Sequence, residues 1–335
     1  MSGFALAAGW AADIAFGDPR RLHPVAGFGR AALALERAIY APSRGRGALF
    51  AAVLVGGAAA AGQLATRLAE RVAGRAGRTV VLAVVTWGAL GGRSLVREGR
   101  RIAELLEAGD LDGARDALPA LAGRDPSQLD ESGISRAVVE SLAENSSDAV
   151  VGALVWGAAA GPAGIAAFRA ANTLDAMVGH RSPRYERFGF AAAKLDDAMG
   201  WPGARLGALL AVALAPIASG SPRAAWRILR RDGAAHPSPN AGRMEAAFAG
   251  ALDLRLGGPL RYGERTEHRP TLGDGRPPQP ADAARAARLS LAVGAASALL
   301  CAAARAAAPA RARRATGAVP PHRDDSTPTI DGSGR

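Results

Sequence analysis

The sequence predicts an all-α, polytopic integral membrane protein with about four to six membrane segments and a water-facing helical insert. Three observations predict it. Several uncharged runs approach the roughly 20 residues that a helix needs to cross hydrocarbon. Residues 93–147 change to charged, helically periodic sequence. The run at 149–168 is interrupted by Gly161-Pro162-Ala163-Gly164, a break tolerated in a membrane where it lines a protein cavity. Composition alone says less, because the mean hydropathy is only +0.06 and the 49% hydrophobic content is largely alanine, with 5% aromatic residues. Residues 1–305 read as a single membrane-embedded domain and 306–335 as a disordered tail.

From the N-terminus, residues 1–12 are apolar without a preceding basic region, so they read as a short membrane helix ending at Gly17 rather than a cleaved signal. Gly17-Asp18-Pro19 then forces a turn. Pro24 stands where proline is favoured, just inside a helix start, and an amphipathic helix follows Arg30. Residues 48–65 form an uncharged run that as a helix reaches roughly 27 Å. A shorter run follows at 79–92, with Trp87 near its end as at an interface. The insert at 93–147 reads as amphipathic helices broken at Gly109-Asp110 and ended at Asp125-Pro126, with Ser127 to Asp130 capping the next helix. Residues 149–168, 206–222 and 289–304 are further candidate spans. Residues 223–288 are assigned as a loop region, Pro/Gly-rich at 257–280. Beyond Arg305 there is no periodicity.

The formal net charge of +11 would ordinarily raise nucleic acid as a partner. Lys194 is the only lysine among 41 basic residues, and the arginines are scattered through short loops without interleaved aromatics, so nucleic-acid binding is not expected. Arginine beside apolar spans fits anionic lipid head groups and a lipid bilayer instead. The single Cys301, inside an apolar run, excludes an internal disulfide and a cysteine-based metal site.

The polar residues of interest crowd the two ends of the run at 149–168. Glu140, Glu144 and Asp148 fall at i, i+4 and i+8, so on a helix they share one face and repel unless a cation intervenes. After the run come Arg169, Asn172, Asp175, His180, Arg181, Arg184, Lys194, Asp196, Asp197 and Arg205. Carboxylates with an amide, completed by water and nucleotide phosphates, are what magnesium takes. The alternative is that Glu140 and Asp148 are solvated helix-face charges and that Asp197 pairs with Arg205. A straight crossing would leave Glu144 and Asp175 on opposite faces. The Gly-Pro break therefore predicts a re-entrant hairpin, or two half-helices, joining both clusters at one aqueous face. His23 and His236 open a repeated His-Pro-x-x-x-x-Gly-Arg pattern that also contains Asn240 in its second copy. Both copies are either phosphate-facing turns or a chance repeat.

Residues 139–206 resemble the signature region of the cobalamin-biosynthesis membrane protein family CobD/CbiB, adenosylcobinamide-phosphate synthase. The resemblance lies in VESLAEN followed by Asp148, in R..NTLDAMVGH....Y..FG from Arg169, and in the Asp196-Asp197 run that ends in Ala204-Arg205-Leu206. GDPRRLHPVAGFGR at 17–30, GRDPSQLD at 123–130 and HPSPNAGRMEAAFAGALDLRLGGPLRYG at 236–263 also resemble that family's blocks in the same order, so the likeness covers roughly 13–263. One departure is that Gly200 stands where the family usually has Asn, and Gly203 where its Pro-Ala-Arg-Leu run begins.

The resemblance implies a multi-pass enzyme of the cell membrane (the bacterial inner membrane). It implies that adenosylcobyric acid, a corrinoid, is joined as an amide to aminopropanol or its phosphate with ATP hydrolysis, among other cobalamin-pathway enzymes. Activating a carboxylate requires magnesium and cations around phosphates, and the sequence has no G-x-x-x-x-G-K-[ST] loop. The expected catalytic residues are Glu144, Asp175 and His180. The metal pool is Glu144, Asn145, Asp148, Asp196 and Asp197, and the substrate and phosphate pool is Arg169, Arg181, Arg184, Lys194, Arg205, His23, His236 and Asn240. His180 could equally cap a helix C-terminus. A transporter or a non-catalytic membrane sensor related to the family are the competing readings.

Overall fold

The computed structural model describes residues 2–18, 24–180, 182–262 and 265–315. Twelve helices and one β-hairpin follow in order: α1 (Ser2–Phe16), α2 (Pro24–Ile39), α3 (Arg44–Ala89), α4 (Gly92–Glu107), α5 (Leu111–Ala117), α6 (Glu131–Ser146), α7 (Gly152–Leu174), α8 (Tyr185–Phe188), α9 (Phe190–Ala213), α10 (Pro222–Asp232), α11 (Ala241–Leu252), β1 (Leu256–Tyr262), β2 (Arg265–Leu272) and α12 (Pro280–Ala315). Among the described residues three continuous helical stretches, Arg44–Glu107, Glu131–Gly179 and Pro280–Ala307, are long and apolar enough to cross a membrane, and Gly3–Phe16 is a shorter apolar helix. The chain has the architecture of an all-α membrane protein.

Two of these stretches are folded back on themselves. In α3 the backbone leaves helical geometry at Ala73 and Gly74, the latter at φ 57°. Gly77 consequently lies against Ala69, and Arg78 comes within 3.9 Å of Glu70. In α7 the reversal falls at Gly161 (φ 66°, ψ −149°), followed by Pro162. Glycine takes this conformation without the steric penalty of a β-carbon, and proline suits the first turn of the returning helix because its missing N–H has no partner to lose. Across the turn Gly152 faces Phe168 and Gly157 faces Ile165. The Gly-Pro break therefore reverses the chain, and its two arms pack as a helical hairpin. Arg305 of α12 holds its tip, Nη1 donating to the carbonyls of Gly157 and Ala158, both at 2.9 Å. Gly161→Ala is expected to destabilise the protein by about 1–3 kcal/mol, because the new Cβ would be strained at this φ and would meet Arg305 Nη2 at 3.1 Å. The detergent-solubilised unfolding midpoint measures it.

Other elements are fixed by local chemistry. Asp13, which interrupts the apolar N-terminal run, is buried with Oδ2 accepting from the backbone N–H groups of Gly92 and Arg93, and so caps α4. Asp110 accepts from Gly113 N–H at 2.8 Å to start α5, and Asp130 from Gly133 N–H at 2.7 Å to start α6. α4 buries Leu95, Val96, Ile102 and Leu106 against a core shared with α6 and α9 to α12. α1 runs antiparallel to α12, with Gly3 against Ala302 and Trp10 against Gly294.

Three expectations are corrected. Residues 223–288 are not a loop region: they contain α10, α11 and an antiparallel hairpin in which Gly258 pairs with Arg269 and Leu260 with Glu267. Its glycines serve the β register, Gly257 and Gly258 both taking positive φ where the register shifts. Residues 206–222 are not one span, because α9 ends at Ala213 and a short 3-10 turn, Ala215–Ala218, follows. α12 continues through Ala315, so the first ten residues assigned to the tail are helical; the remainder of the tail lies outside the described residues.

Candidate active site

The helix from Glu131 continues through a π-helical turn, Ser147–Val151, into the outgoing arm of the α7 hairpin. The returning arm ends in a second π-helical turn, Asp175–Gly179. Asp148 precedes the Gly161 turn by nearly as many residues as Asp175 follows it, so at 1.5 Å per residue both stand roughly 20 Å from the tip. That equality is why they meet. Asn172 Nδ2 donates to Asp148 Oδ2 at 3.4 Å, and Arg169 Nη1 donates to the Asp148 carbonyl and to Asn172 Oδ1, each at 3.1 Å. π-turns widen a helix and recur at functional sites; here each carries one of the facing aspartates.

α9 brings a second pair of carboxylates against this seam. Asn172 also hydrogen-bonds Asp196, and the Asp148, Asp175, Asp196 and Glu144 carboxylates lie close enough to repel one another. Burial first, then repulsion from Asp175, pushes the Asp196 carboxyl up to about 7 despite the Asn172 bond. Its Oδ1 is buried with no hydrogen-bond partner. Asp197 pairs with Lys194 at 2.9 Å, not with Arg205. Arg205 instead donates to Asn240 Oδ1 at 2.8 Å and stacks on Trp201, and Asn240 Nδ2 donates to the Asp197 carbonyl at 2.9 Å. Asn240 thus ties α11 to the acidic end of α9. It also accounts for Gly200, where an added Cβ would lie 2.7 Å from Asn240 Nδ2. Gly203 is required by close packing, since its Cβ would lie 2.8 Å from the Gly152 Cα at the base of the hairpin.

Beyond Glu144 the seam continues into a buried ionic cluster. Glu140 is not a solvated helix-face charge: its side chain is 5% exposed and Oε2 lies 2.8 Å from Arg124 Nη1, an ion contact without hydrogen-bond angles. Its Oε1 accepts from Gly257 N–H at 2.8 Å, and Arg136 donates to the Gly257 carbonyl at 2.6 Å, so the β-hairpin is docked on α6. His236 is buried, 3.8 Å from Glu245 and with Arg269 Nη1 2.7 Å from its Nε2. Burial, then repulsion from Glu140 and Glu144, holds the Glu245 carboxyl well above its usual range. Glu144 stands between the two groups, sensing Arg269, Arg124, Glu140 and Asp175.

The structure therefore brings together Glu144, Asp148, Arg169, Asp175, Asp196 and Asp197, with Lys194, Arg205 and Asn240 at the α9 end. His180 is exposed, edge-on to Tyr185, and lies near Asp175. Asn145 turns its amide nitrogen back to Ser141 at 3.0 Å. Arg184 is committed elsewhere, to Glu36 at 2.9 Å and to the Tyr40 ring. His23 and Arg181 lie outside the described residues, so the paired-turn idea stands only on His236, which faces the buried ionic cluster. Asp18, not singled out from the sequence, interacts with Arg169 and has a buried, unpartnered Oδ1. Its signal was membership of the Gly17-Asp18-Pro19 block. Glu245 was also missed, because a lone glutamate in an alanine-rich helix carries no pattern.

Among the described residues no group of three or more His, Cys, Asp or Glu side chains is arranged to hold a metal ion by itself. The orphaned Asp196 Oδ1 beside mutually repelling carboxylates nevertheless fits a hard cation whose remaining ligands come from phosphate and water.

A family model described as CobD/Cbib protein matches residues 6–290. The chain is 54% identical over 288 residues to a cobalamin biosynthesis protein CobD of Mycobacterium tuberculosis, covering 86% of this chain and 91% of that one. It is 43% identical over 275 residues to the protein of the same description from Geobacter metallireducens, covering 81% and 86%. With that of Rhodobacter capsulatus it shares 47% identity over 203 residues, 60% of this chain and 63% of the relative. No solved structure matches.

Proposed function

This chain belongs to the CobD/Cbib protein family, and from that premise we propose that it acts in cobalamin biosynthesis as an ATP-dependent ligase joining adenosylcobyric acid to aminopropanol or its phosphate. The observation that carries this reading is the convergence of Asp148, Asp175, Asp196 and Glu144 at the base of one folded hairpin, with Arg169 bonded into the same cluster. Carboxylates for a magnesium–nucleotide and guanidinium groups for phosphate are what carboxylate activation needs where no glycine-rich phosphate loop exists.

The substrate carboxylate attacks the γ-phosphorus of ATP, ADP leaves, and an acyl phosphate results. The amine then attacks the acyl carbon, the C–O bond to phosphate breaks, and inorganic phosphate departs. Magnesium would neutralise phosphate charge as the P–O bond cleaves. Asp196, Asp148 and Asp197 would hold it. Arg169 and Arg205, the latter kept in place by Asn240, would take phosphate oxygens. Asp175 would accept the ammonium proton, and the exposed His180 would pass it to solvent.

Purified protein incubated with adenosylcobyric acid, ATP, magnesium and the amine is expected to form one amide per ADP released. Aminopropanol and its phosphate are run separately, and the one with the higher kcat/KM identifies the amine. ADP without amide, or neither product with both amines, would refute the ligase assignment. Asp175→Asn is expected to lower kcat with ADP release still coupled to amide.

A further inference from the structure

Beyond the ligase site, two surface features lie in succession along α1 and α12. The first is an apolar trough of about 640 Å³ between these helices, walled by Phe4, Trp10 and Phe16 on one side and Ala295, Ala298 and Leu299 on the other. Phe4, Phe16 and Leu299 are 74%, 76% and 67% exposed. The second is a recess of about 400 Å³ lined by Ile14 of α1, Leu291 of α12 and Arg93, Arg97, Arg100 and Arg101 of α4. α1 and α12 are antiparallel, so Ile14 and Leu291 come opposite one another, one turn beyond the trough's last α12 residue, Ala295. The arginine recess therefore lies about one helical turn along the same helix pair from the end of the trough.

We propose that this composite groove binds one anionic phospholipid, with an acyl chain along α1 and α12 and the phosphate on the arginines of α4. Length fits the chain: Phe4 to Phe16 spans roughly 18 Å of helix, close to the depth of one leaflet at about 15 Å. Charge fits the head group. Arg93 is already occupied, Nη1 donating to the Ile14 carbonyl at 2.6 Å and the Ala15 carbonyl at 2.5 Å, and Arg101 contacts Glu98 at 3.1 Å. Arg97 and Arg100, exposed and without an ion-pair partner among the described residues, carry the free positive charge, against one acidic lining residue, Glu104. Position fits as well, since α4 starts three residues after the returning arm of α3 and so emerges at the head-group level. A free phosphate would use only the recess; an amphiphile uses both halves.

The test is native mass spectrometry and thermal unfolding of the full chain in neutral detergent with dioleoyl phosphatidylglycerol, dioleoyl phosphatidylcholine or glycerol phosphate. Phosphatidylglycerol is expected to remain bound at one per chain and raise Tm, and the other two to do neither. Arg97→Gln/Arg100→Gln should weaken phosphatidylglycerol roughly thirtyfold and Arg100→Gln alone about fivefold, with Tm in lipid-free detergent unchanged. Arg71→Gln/Arg75→Gln, an equal charge loss at the α3 turn, should leave binding intact. Equal binding of phosphatidylcholine, equal stabilisation by glycerol phosphate, or equal weakening by the two double variants would each overturn the proposal. If the double variant does not fold, Arg100→Gln and the three-ligand comparison on wild type decide it.

Discussion

Asp196→Asn is expected to lower amide formation by about 10²–10³-fold while the protein stays folded. The substitution removes a negative oxygen whose partnerless Oδ1 is buried at the α9 end of the acidic cluster, and it changes side-chain volume very little. The magnesium concentration needed for half-maximal rate should rise with it, which separates loss of a ligand from loss of a proton acceptor at Asp175. Stability should respond in the opposite direction. With the Asp196 carboxyl at about 7 in the folded protein and near its ordinary value when unfolded, the folded state binds the extra proton between roughly pH 4 and 7. Its contribution is therefore fully present below that window and lost as pH rises through 7. Asp196→Asn should flatten this slope in a Tm-against-pH series without magnesium. An unchanged rate in the variant would remove Asp196 from the reaction, and an unchanged slope would remove it from the titrating groups.

Arg124→Ala is expected to destabilise the protein by about 3–5 kcal/mol. Glu140 and Arg124 side chains are 5% and 9% exposed and 2.8 Å apart, so deleting the cation leaves a buried carboxylate facing Glu144 and Glu245, both already repelled by it. The Gly257 contact alone cannot compensate a full charge. Arg124→Met/Glu140→Gln, which removes both charges and keeps volume, should recover most of the loss. Chemical unfolding in detergent micelles measures both variants. A double variant as unstable as the single one would show that the pair positions the β-hairpin on α6 rather than balancing charge.

Much of the fold was legible in the sequence for reasons of local physics. The uncharged runs and the amphipathic insert follow from hydrophobic periodicity, and Gly161-Pro162 announced the reversal because few other pairs suit that backbone. The acidic residues at the ends of the run could be named, and so could the family, since long motifs in conserved order are specific where a single carboxylate is not. The hairpin at Leu256–Tyr262 and Arg265–Leu272 was not legible, because glycine and proline mark loops as readily as strand bulges. The commitment of Arg184 to Glu36 was hidden for a different reason: the two residues are far apart in the chain, and each alone is only a charge on a helix.

Residue order alone identifies a helical membrane chain of the CobD/Cbib family with two polar clusters flanking a breakable apolar segment. Which of those polar residues come together depends on the folded packing of α6, α7 and α9. Patterns along a chain record what each residue prefers as a neighbour one turn away, whereas Asp148, Asn172 and Asp196 meet because a folded hairpin and a glycine-faced helix bring three separate segments within hydrogen-bonding distance.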